Sequence, residues 1–306
     1  MRKSDLKPML ATLIDKPFNG KGWVYEIKWD GFRIIAVCSP SEAILYSRNG
    51  IDVTKKYPRI AAALRAVKRR AVIDGELVAL ARGRSSFQLL QNVRTRAASL
   101  QYVAFDLLFI DGKDLRKRPL LERKKILKTI LPQNKRVVFS EHVQERGIAF
   151  FTQAKRKKLE GIIAKRAEGK YYSGKRTREW LKIKTGHEQE VVIVGFTAPR
   201  NSRKHFGALV LAVRERNKWR YAGRAGTGFD AKSLAAIHAK MRTLIVRSKP
   251  FAEKVPDEAH TTWLKPKLVG EVQFTEWTER GEMRHPAFKG LRTDKKATEV
   301  IRERPS

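Results

Sequence analysis

A chain of 306 residues, 42% of them hydrophobic, is long enough to bury two cores, so about two domains are expected. Lysine and arginine total 66 against 31 acidic residues, and the formal charge of +35 exceeds what solubility requires, which favours a polyanionic partner, nucleic acid first. The absence of an uninterrupted apolar span or a lipidation motif argues against a membrane partner, and a single cysteine excludes a disulfide-stapled fold.

Met1-Arg2-Lys3-Ser4-Asp5 is followed by no apolar stretch, so no secretory leader is predicted and a cytoplasmic location is expected. Residues 23–28 and 32–37 read as strands rich in aromatic and β-branched side chains, flanking an Asp30-Gly31 turn. Lys28 therefore stands at a strand end, and Glu26, two residues earlier, shares its face. The pattern Lys28-Trp29-Asp30-Gly31-Phe32-Arg33 suits a lysine nucleophile; taken alone it suits an ordinary hairpin turn as well. Cys38 closes an apolar run and reads as a small buried hydrophobe.

Residues 43–47, 71–80 and 102–109 are further predicted strands. The first runs into Ser47-Arg48-Asn49-Gly50, the second contains Asp74-Gly75-Glu76-Leu77, and the third contains Val103-Ala104-Phe105-Asp106. Helices are predicted over 58–67 and 119–130, the latter with proline in its first turn and Leu121, Ile126, Leu127 and Ile130 on one face. Glu160 precedes the apolar strand opened by Gly161-Ile162-Ile163-Ala164-Lys165. In Trp180-Leu181-Lys182-Ile183-Lys184 the alternation sends both lysines to one face, either towards phosphates or as a solvated, lysine-protected edge. The interleaving of strands and helices predicts an α+β domain.

A boundary is placed near residue 187, giving domains 1–187 and 188–306. Beyond it come short, evenly spaced strands over 190–197, 207–214 and 218–223, a helix over 230–241 and a strand over 269–277, a layout that predicts a small OB-type barrel. Gly223-Arg224-Ala225-Gly226-Thr227-Gly228 lacks the spacing of a phosphate loop and reads as a turn into the helix. Arg200-Asn201-Ser202-Arg203-Lys204-His205 reads as a basic loop, suited to DNA phosphates or simply solvated. No His/Cys cluster has zinc spacing.

Taken together and in order, these segments, with Arg292-Thr293-Asp294-Lys295 near the end, resemble the covalent nucleotidyltransferases, and most closely ATP-dependent DNA ligases of the bacterial ligase D and ligase C type. The resemblance runs from about Pro8 to Lys295 and implies an α+β nucleotidyltransferase (adenylation) domain of antiparallel sheets and helices, followed by an OB-fold domain. It implies that Lys28 attacks the α-phosphorus of ATP, keeps AMP as a phosphoramidate and passes it to a nicked DNA duplex. A lysine near its usual pKa of about 10.4 is a poor nucleophile, so neighbouring cations such as Lys182 and Lys184 must disfavour its ammonium form.

By the same resemblance Glu26 reads the adenine amino group, within a nucleotide site that also takes in Ile27. Phe105 stacks on the base, Glu76 accepts from the ribose, and Arg33 and Arg48 hold sugar and phosphate. Core packing is the competing reading of Phe105, and surface ion pairs that of Glu76, Arg33 and Arg48. Glu160, with Asp30, would hold Mg²⁺ or Mn²⁺ through oxygen, although the position of Asp30 equally fits a turn-forming role. Arg292, Asp294 and Lys295 would orient pyrophosphate, implying movement of the OB domain between steps, unless they belong to a basic tail.

An RNA ligase, an mRNA-capping guanylyltransferase or an inactive nucleic-acid-binding relative are the alternatives. The expected state is a monomer working in DNA repair, with a Ku-like end-binding protein as a plausible partner. Polymerase, phosphoesterase and extra N-terminal DNA-binding domains are not expected within this length.

Overall fold

A computed structural model describes residues 6–81, 84, 85, 90, 99–199 and 204–304. Arg200, Asn201, Ser202 and Arg203 of the basic loop and the first five residues lie outside them. Two compact units divide between Thr185 and Gly186, the first holding the chain up to that point and the second running to Glu303. No described helix is long and apolar enough to cross a membrane.

The first unit is built on two sheets. In chain order its strands are β1 (Leu10–Leu13), β2 (Trp23–Ile27), β3 (Phe32–Cys38), β4 (Ala43–Ser47), β5 (Ala71–Ala81), β6 (Arg84–Ser85), β7 (Ser99–Ile110), β8 (Lys113–Asp114), β9 (Val137–Phe139), β10 (Val143–Gln144), β11 (Gly161–Arg166) and β12 (Arg176–Lys184). Helices among its described residues include α1 (Pro58–Leu64), α2 (Leu120–Ile130) and α3 (Gly147–Arg156). One sheet has the order β1-β12-β11-β2-β10, and the other runs β4-β3-β5-β7-β8 with β6 on β5 and β9 on β7.

β2 and β3 are thus not hairpin partners. Asp30-Gly31 carries the chain from one sheet to the other, which the local sequence, reading as a hairpin turn, did not reveal. Gly31 does not adopt a positive φ. Its constraint is space, because a Cβ there would stand 2.2 Å from the Leu77 carbonyl oxygen of β5.

Alternation sorts the side chains of both sheets. Phe32, Ile34 and Ala36 of β3 pack with Ile73 and Leu77 of β5 against Ile60 and Leu64 of α1 and Leu127 of α2. The opposite face, with Ile35, Val72 and Phe105, meets Trp180 of the first sheet in a second core. The far side of that first sheet, with Trp23, Tyr25, Ile162, Ala164, Leu181 and Ile183, is covered by Ala154, Phe150 and Phe151 of α3, a helix absent from the sequence reading.

α2 also departs from expectation. Its buried residues are Leu120, Arg123, Lys124 and Leu127, and Pro119 occupies the N-cap instead of the first turn. Burying two cations is tolerable because each finds a carboxylate: Arg123 donates to both oxygens of Asp106 at 2.8 Å, and Lys124 donates to Glu26 at 2.8 Å.

The second unit contains β13 (His187–Thr197), β14 (Leu209–Glu215), β15 (Lys218–Ala225), α4 (Ala231–Arg242), β16 (Ile245–Val246), β17 (Thr261–Phe274) and β18 (Ala287–Leu291). The sheet runs β15-β14-β13-β17-β16, with β18 also on β17. Pairing of β17 with β13 jumps from Leu268 opposite Ile193 to Trp263 opposite Gly195, leaving Pro266 in the break. Thr227 bridges Ala287 and accepts from Phe288 N at 2.9 Å, tying the end of β15 to β18 and curling the sheet into an OB-like barrel. Asp230 caps α4 through reciprocal bonds with Ser233, so the glycine-rich segment before it serves as a lead into the helix.

Candidate active site

The register of three strands assembles the site. Lys165 stands opposite Val24 and Trp180, Ile163 opposite Glu26 and Lys182, and Gly161 opposite Lys184. Because paired residues share a face and alternate residues return to it, Glu26, Lys165, Trp180, Lys182 and Lys184 all project from one side of this sheet. Lys28 continues the same parity one residue beyond β2, where its backbone N–H donates to Gly161 O at 3.0 Å. Ile27 has the opposite parity, with Tyr25, so its backbone alone lies along this row.

Gly161 permits this approach. Its φ is +156°, and a Cβ would stand 2.1 Å from Ile183 O, so β11 can lie against β12 there only without a side chain. Glu160, just before it, is ion-paired through Oε1 with Lys28 Nζ. The sequence-predicted nucleophile and metal ligand, separated by 132 positions, are therefore in direct contact.

Glu26 is 2% exposed. Its Oε1 accepts from Lys124 Nζ at 2.8 Å, while Oε2 accepts from Ser140 Oγ at 2.8 Å and Lys165 Nζ at 3.0 Å. Burial opposes its ionisation, yet the two lysines hold its carboxyl below the ordinary carboxylate range. Burial also dominates at Lys165, whose ammonium is brought down to about 8 despite Glu26.

Facing this row is the second sheet. Asp74 pairs with Asp106 and Gly75 with Ala104, so Phe105 is the extra residue of a bulge in β7, a device that re-aims a side chain. Phe105 is 7% exposed; Arg33 lies 4.6 Å and Lys165 4.4 Å from its ring centroid, and Trp180 meets it edge-on at 5.9 Å. Arg33 donates to Asp74 at 2.5 and 2.6 Å and to Met9 O at 3.3 Å. Asp74 also accepts from Tyr171 Oη at 2.6 Å. Arg33 is thus anchored by a buried carboxylate as well as lying beside Phe105, while Glu76 is its cross-strand partner and Arg48 follows the end of β4.

In the second unit Arg292 is bidentate to Asp294 at 2.9 and 2.8 Å and reaches Glu271 at 3.3 Å, while Lys295 is paired with Glu190. Burial pushes the Asp294 carboxyl up, but Arg292 and Lys295 carry it below its usual range. The motif is therefore folded into the barrel and is not part of a basic tail.

Sequence reasoning missed Lys124, Ser140, Lys165, Asp74 and Tyr171. Lys165 ends the motif Glu160-Gly161-Ile162-Ile163-Ala164-Lys165, and its even spacing from Gly161 was the available signal. Asp74 likewise opens the quoted segment Asp74-Gly75-Glu76-Leu77, and nothing local marks Lys124, Ser140 or Tyr171.

The ATP dependent DNA ligase domain model matches residues 8–184, and the ATP dependent DNA ligase C terminal region model matches residues 202–295. The chain is 39% identical over 313 residues to the multifunctional non-homologous end joining protein LigD of Pseudomonas aeruginosa, a match covering 98% of this chain and 37% of that protein. With the protein of the same name from Mycolicibacterium smegmatis it shares 35% identity over 309 residues, covering 99% of this chain and 40% of the other. The chain thus spans well under half the length of these relatives. A structure of mycobacterial DNA ligase D complexed with ATP and MES superposes with a TM-score of 0.75 at 34% identity, covering 99% of this chain and 100% of that one.

Proposed function

Because the chain belongs to the ATP-dependent DNA ligase family, we propose that it seals 5′-phosphate/3′-hydroxyl nicks in duplex DNA through lysyl-AMP and DNA-adenylate intermediates. The observation that carries this reading is the contact of Lys28 with Glu160 on a sheet face that also presents Glu26, Lys182 and Lys184. Lys28 Nζ forms a P–N bond to the α-phosphorus of ATP as pyrophosphate leaves. An ammonium paired with Glu160 is not nucleophilic. Once released from that pair the ammonium gives up a proton to solvent, favoured by the charges of Lys182 and Lys184 on the same face, which also stabilise charge on the α-phosphate.

Glu26 reads the adenine amino edge, Ile27 borders the base through its backbone, and Phe105 stacks on the face of the base. Glu76 accepts from the ribose, and Arg33 and Arg48 hold sugar and phosphate. Arg292 and Lys295, positioned by Asp294, orient the pyrophosphate. Glu160 and Asp30 offer hard carboxylate oxygens, a donor set that fits Mg²⁺ or Mn²⁺ together with nucleotide oxygens and water. Such an ion, when bound, neutralises charge developing on the phosphate. The 5′-phosphate of the nick then takes AMP from Lys28, and the 3′-hydroxyl displaces AMP to close the strand.

The names of its relatives support work in non-homologous end joining. The reading extends to a Ku-like protein delivering ends and to a cytoplasmic, nucleoid-associated monomer with an adenylation domain over residues 1–187 and an OB domain over 188–306, two residues beyond the division between Thr185 and Gly186. The deciding experiment supplies α-labelled ATP, Mg²⁺ and a nicked duplex. The wild-type chain is expected to acquire label and seal the nick, and Lys28→Ala to do neither. Undiminished labelling of Lys28→Ala would refute the nucleophile assignment.

A further inference from the structure

The buried Glu26 carboxylate is held by three side-chain donors from three separate segments of the chain. An ionised carboxylate is an acceptor with about four lone-pair sites. Lys124, Ser140 and Lys165 fill three of them, distributed over both oxygens. One acceptor direction remains, and the two ammonium groups on the carboxylate disfavour a proton there. Lys165 does more than donate to Glu26: its ammonium also lies 4.4 Å from the centroids of both Phe105 and Trp180. A single side chain therefore touches the carboxylate assigned to the edge of the base and the ring assigned to its face.

We propose that Lys165 is the positioning residue for base selection: with Lys124 and Ser140 it fixes Glu26 as an acceptor only and seats Phe105, so that the pocket takes a purine with an amino group at position 6 and rejects one with a carbonyl there. Adenine presents an N–H donor to the remaining lone pair. Guanine and hypoxanthine present an oxygen, which meets a carboxylate that has no proton to offer. The penalty is that of an unpaired buried polar group on each side, the kind of mismatch by which binding sites discriminate strongly. Burial first, and then the neighbouring Lys124, bring the Lys165 ammonium down against the pull of Glu26, in keeping with a group enclosed beside the carboxylate.

The inference rests on the proposed lysyl-adenylation, and the test separates the two. The 306-residue wild-type chain, Lys165→Met, Lys165→Arg and Ser140→Ala are each given α-labelled ATP, GTP or ITP with Mg²⁺, and the rate of protein labelling is read for each nucleotide. Wild type is expected to label from ATP and to reject GTP and ITP. Lys165→Met is expected to lower the ATP-to-GTP and ATP-to-ITP ratios by about tenfold or more, with Lys165→Arg restoring most of the preference and Ser140→Ala reducing it by a smaller factor. A merely structural lysine would slow labelling from all three nucleotides alike. Ratios unchanged in Lys165→Met, with wild type labelling normally from ATP, overturn the proposal alone. Should Lys165→Met fail to fold, Ser140→Ala decides: an unchanged ratio in that variant overturns the proposal. Wild type that labels from none of the nucleotides overturns the adenylation reading and this proposal with it.

Discussion

Individual side chains in this protein are held by charge partners, near or far in sequence, and their energetics follow burial. Arg123 and Asp106 are both 0% exposed and bidentate, so each is tolerated only because of the other. Asp294 obeys the same rule and yields a pH test. Its folded-state pKa lies below its ordinary value of 3.8, so the folded protein binds fewer protons than the unfolded chain as pH falls through that range. The stabilisation it contributes is present above the unfolded value and is lost as pH falls through the folded one. Asp294→Asn is expected to cost about 3–5 kcal/mol near neutrality by leaving Arg292 underpaired, and the gap to wild type should close in acid. Urea unfolding across pH measures both, and a gap that widens in acid would contradict the assignment.

At the scale of elements, the link between β2 and β3 is decisive. An Asp-Gly pair between apolar runs is a hairpin signal, yet here the two strands enter different sheets. The glycine is needed for its missing Cβ, not for a positive φ. Gly31→Ala and Gly31→Asn are therefore both expected to destabilise the protein by about 1–3 kcal/mol and to slow lysyl-adenylation. A turn glycine in the left-handed region would instead tolerate asparagine better than alanine. Thermal melts and labelling rates of the two variants distinguish these cases, and wild-type behaviour of the asparagine variant would reject the close-approach explanation. The bulge at Phe105 is a second device of this kind, since one extra residue in β7 turns the ring towards Arg33 and Lys165.

For the whole molecule, charge is the property that matters most. An excess of +35 is not neutralised by the ion pairs just described and, under the proposed function, serves to hold a phosphate backbone. Binding to nicked duplex DNA is expected to be independent of sequence and to weaken about a thousandfold or more between about 50 and about 200 mM salt, the response for roughly six neutralised phosphates. Titrations at several salt concentrations give the slope directly, and a flat profile would exclude counterion release as the source of affinity. The curled second unit, closed by the Thr227–Ala287 bridge, carries its own motif of Arg292, Asp294 and Lys295 on a framework of internal carboxylates.

By itself the sequence determined what depends on local order, composition and periodicity: the chemical groups, most strand positions, the α+β character and OB layout, the charge excess, and the shared faces of Glu26 with Lys28 and of Lys182 with Lys184, because alternation in a strand is a property of consecutive residues. Only the tertiary structure decided that β2 and β3 part company, that Glu160 meets Lys28, that the buried face of α2 carries Arg123 and Lys124, and that Lys165 joins Glu26 to Phe105. These outcomes turn on strand register and on whether a charge finds its counterpart on another element, 17 positions away for Arg123 and 139 for Lys165, and burial of an ion is tolerated only with that partner.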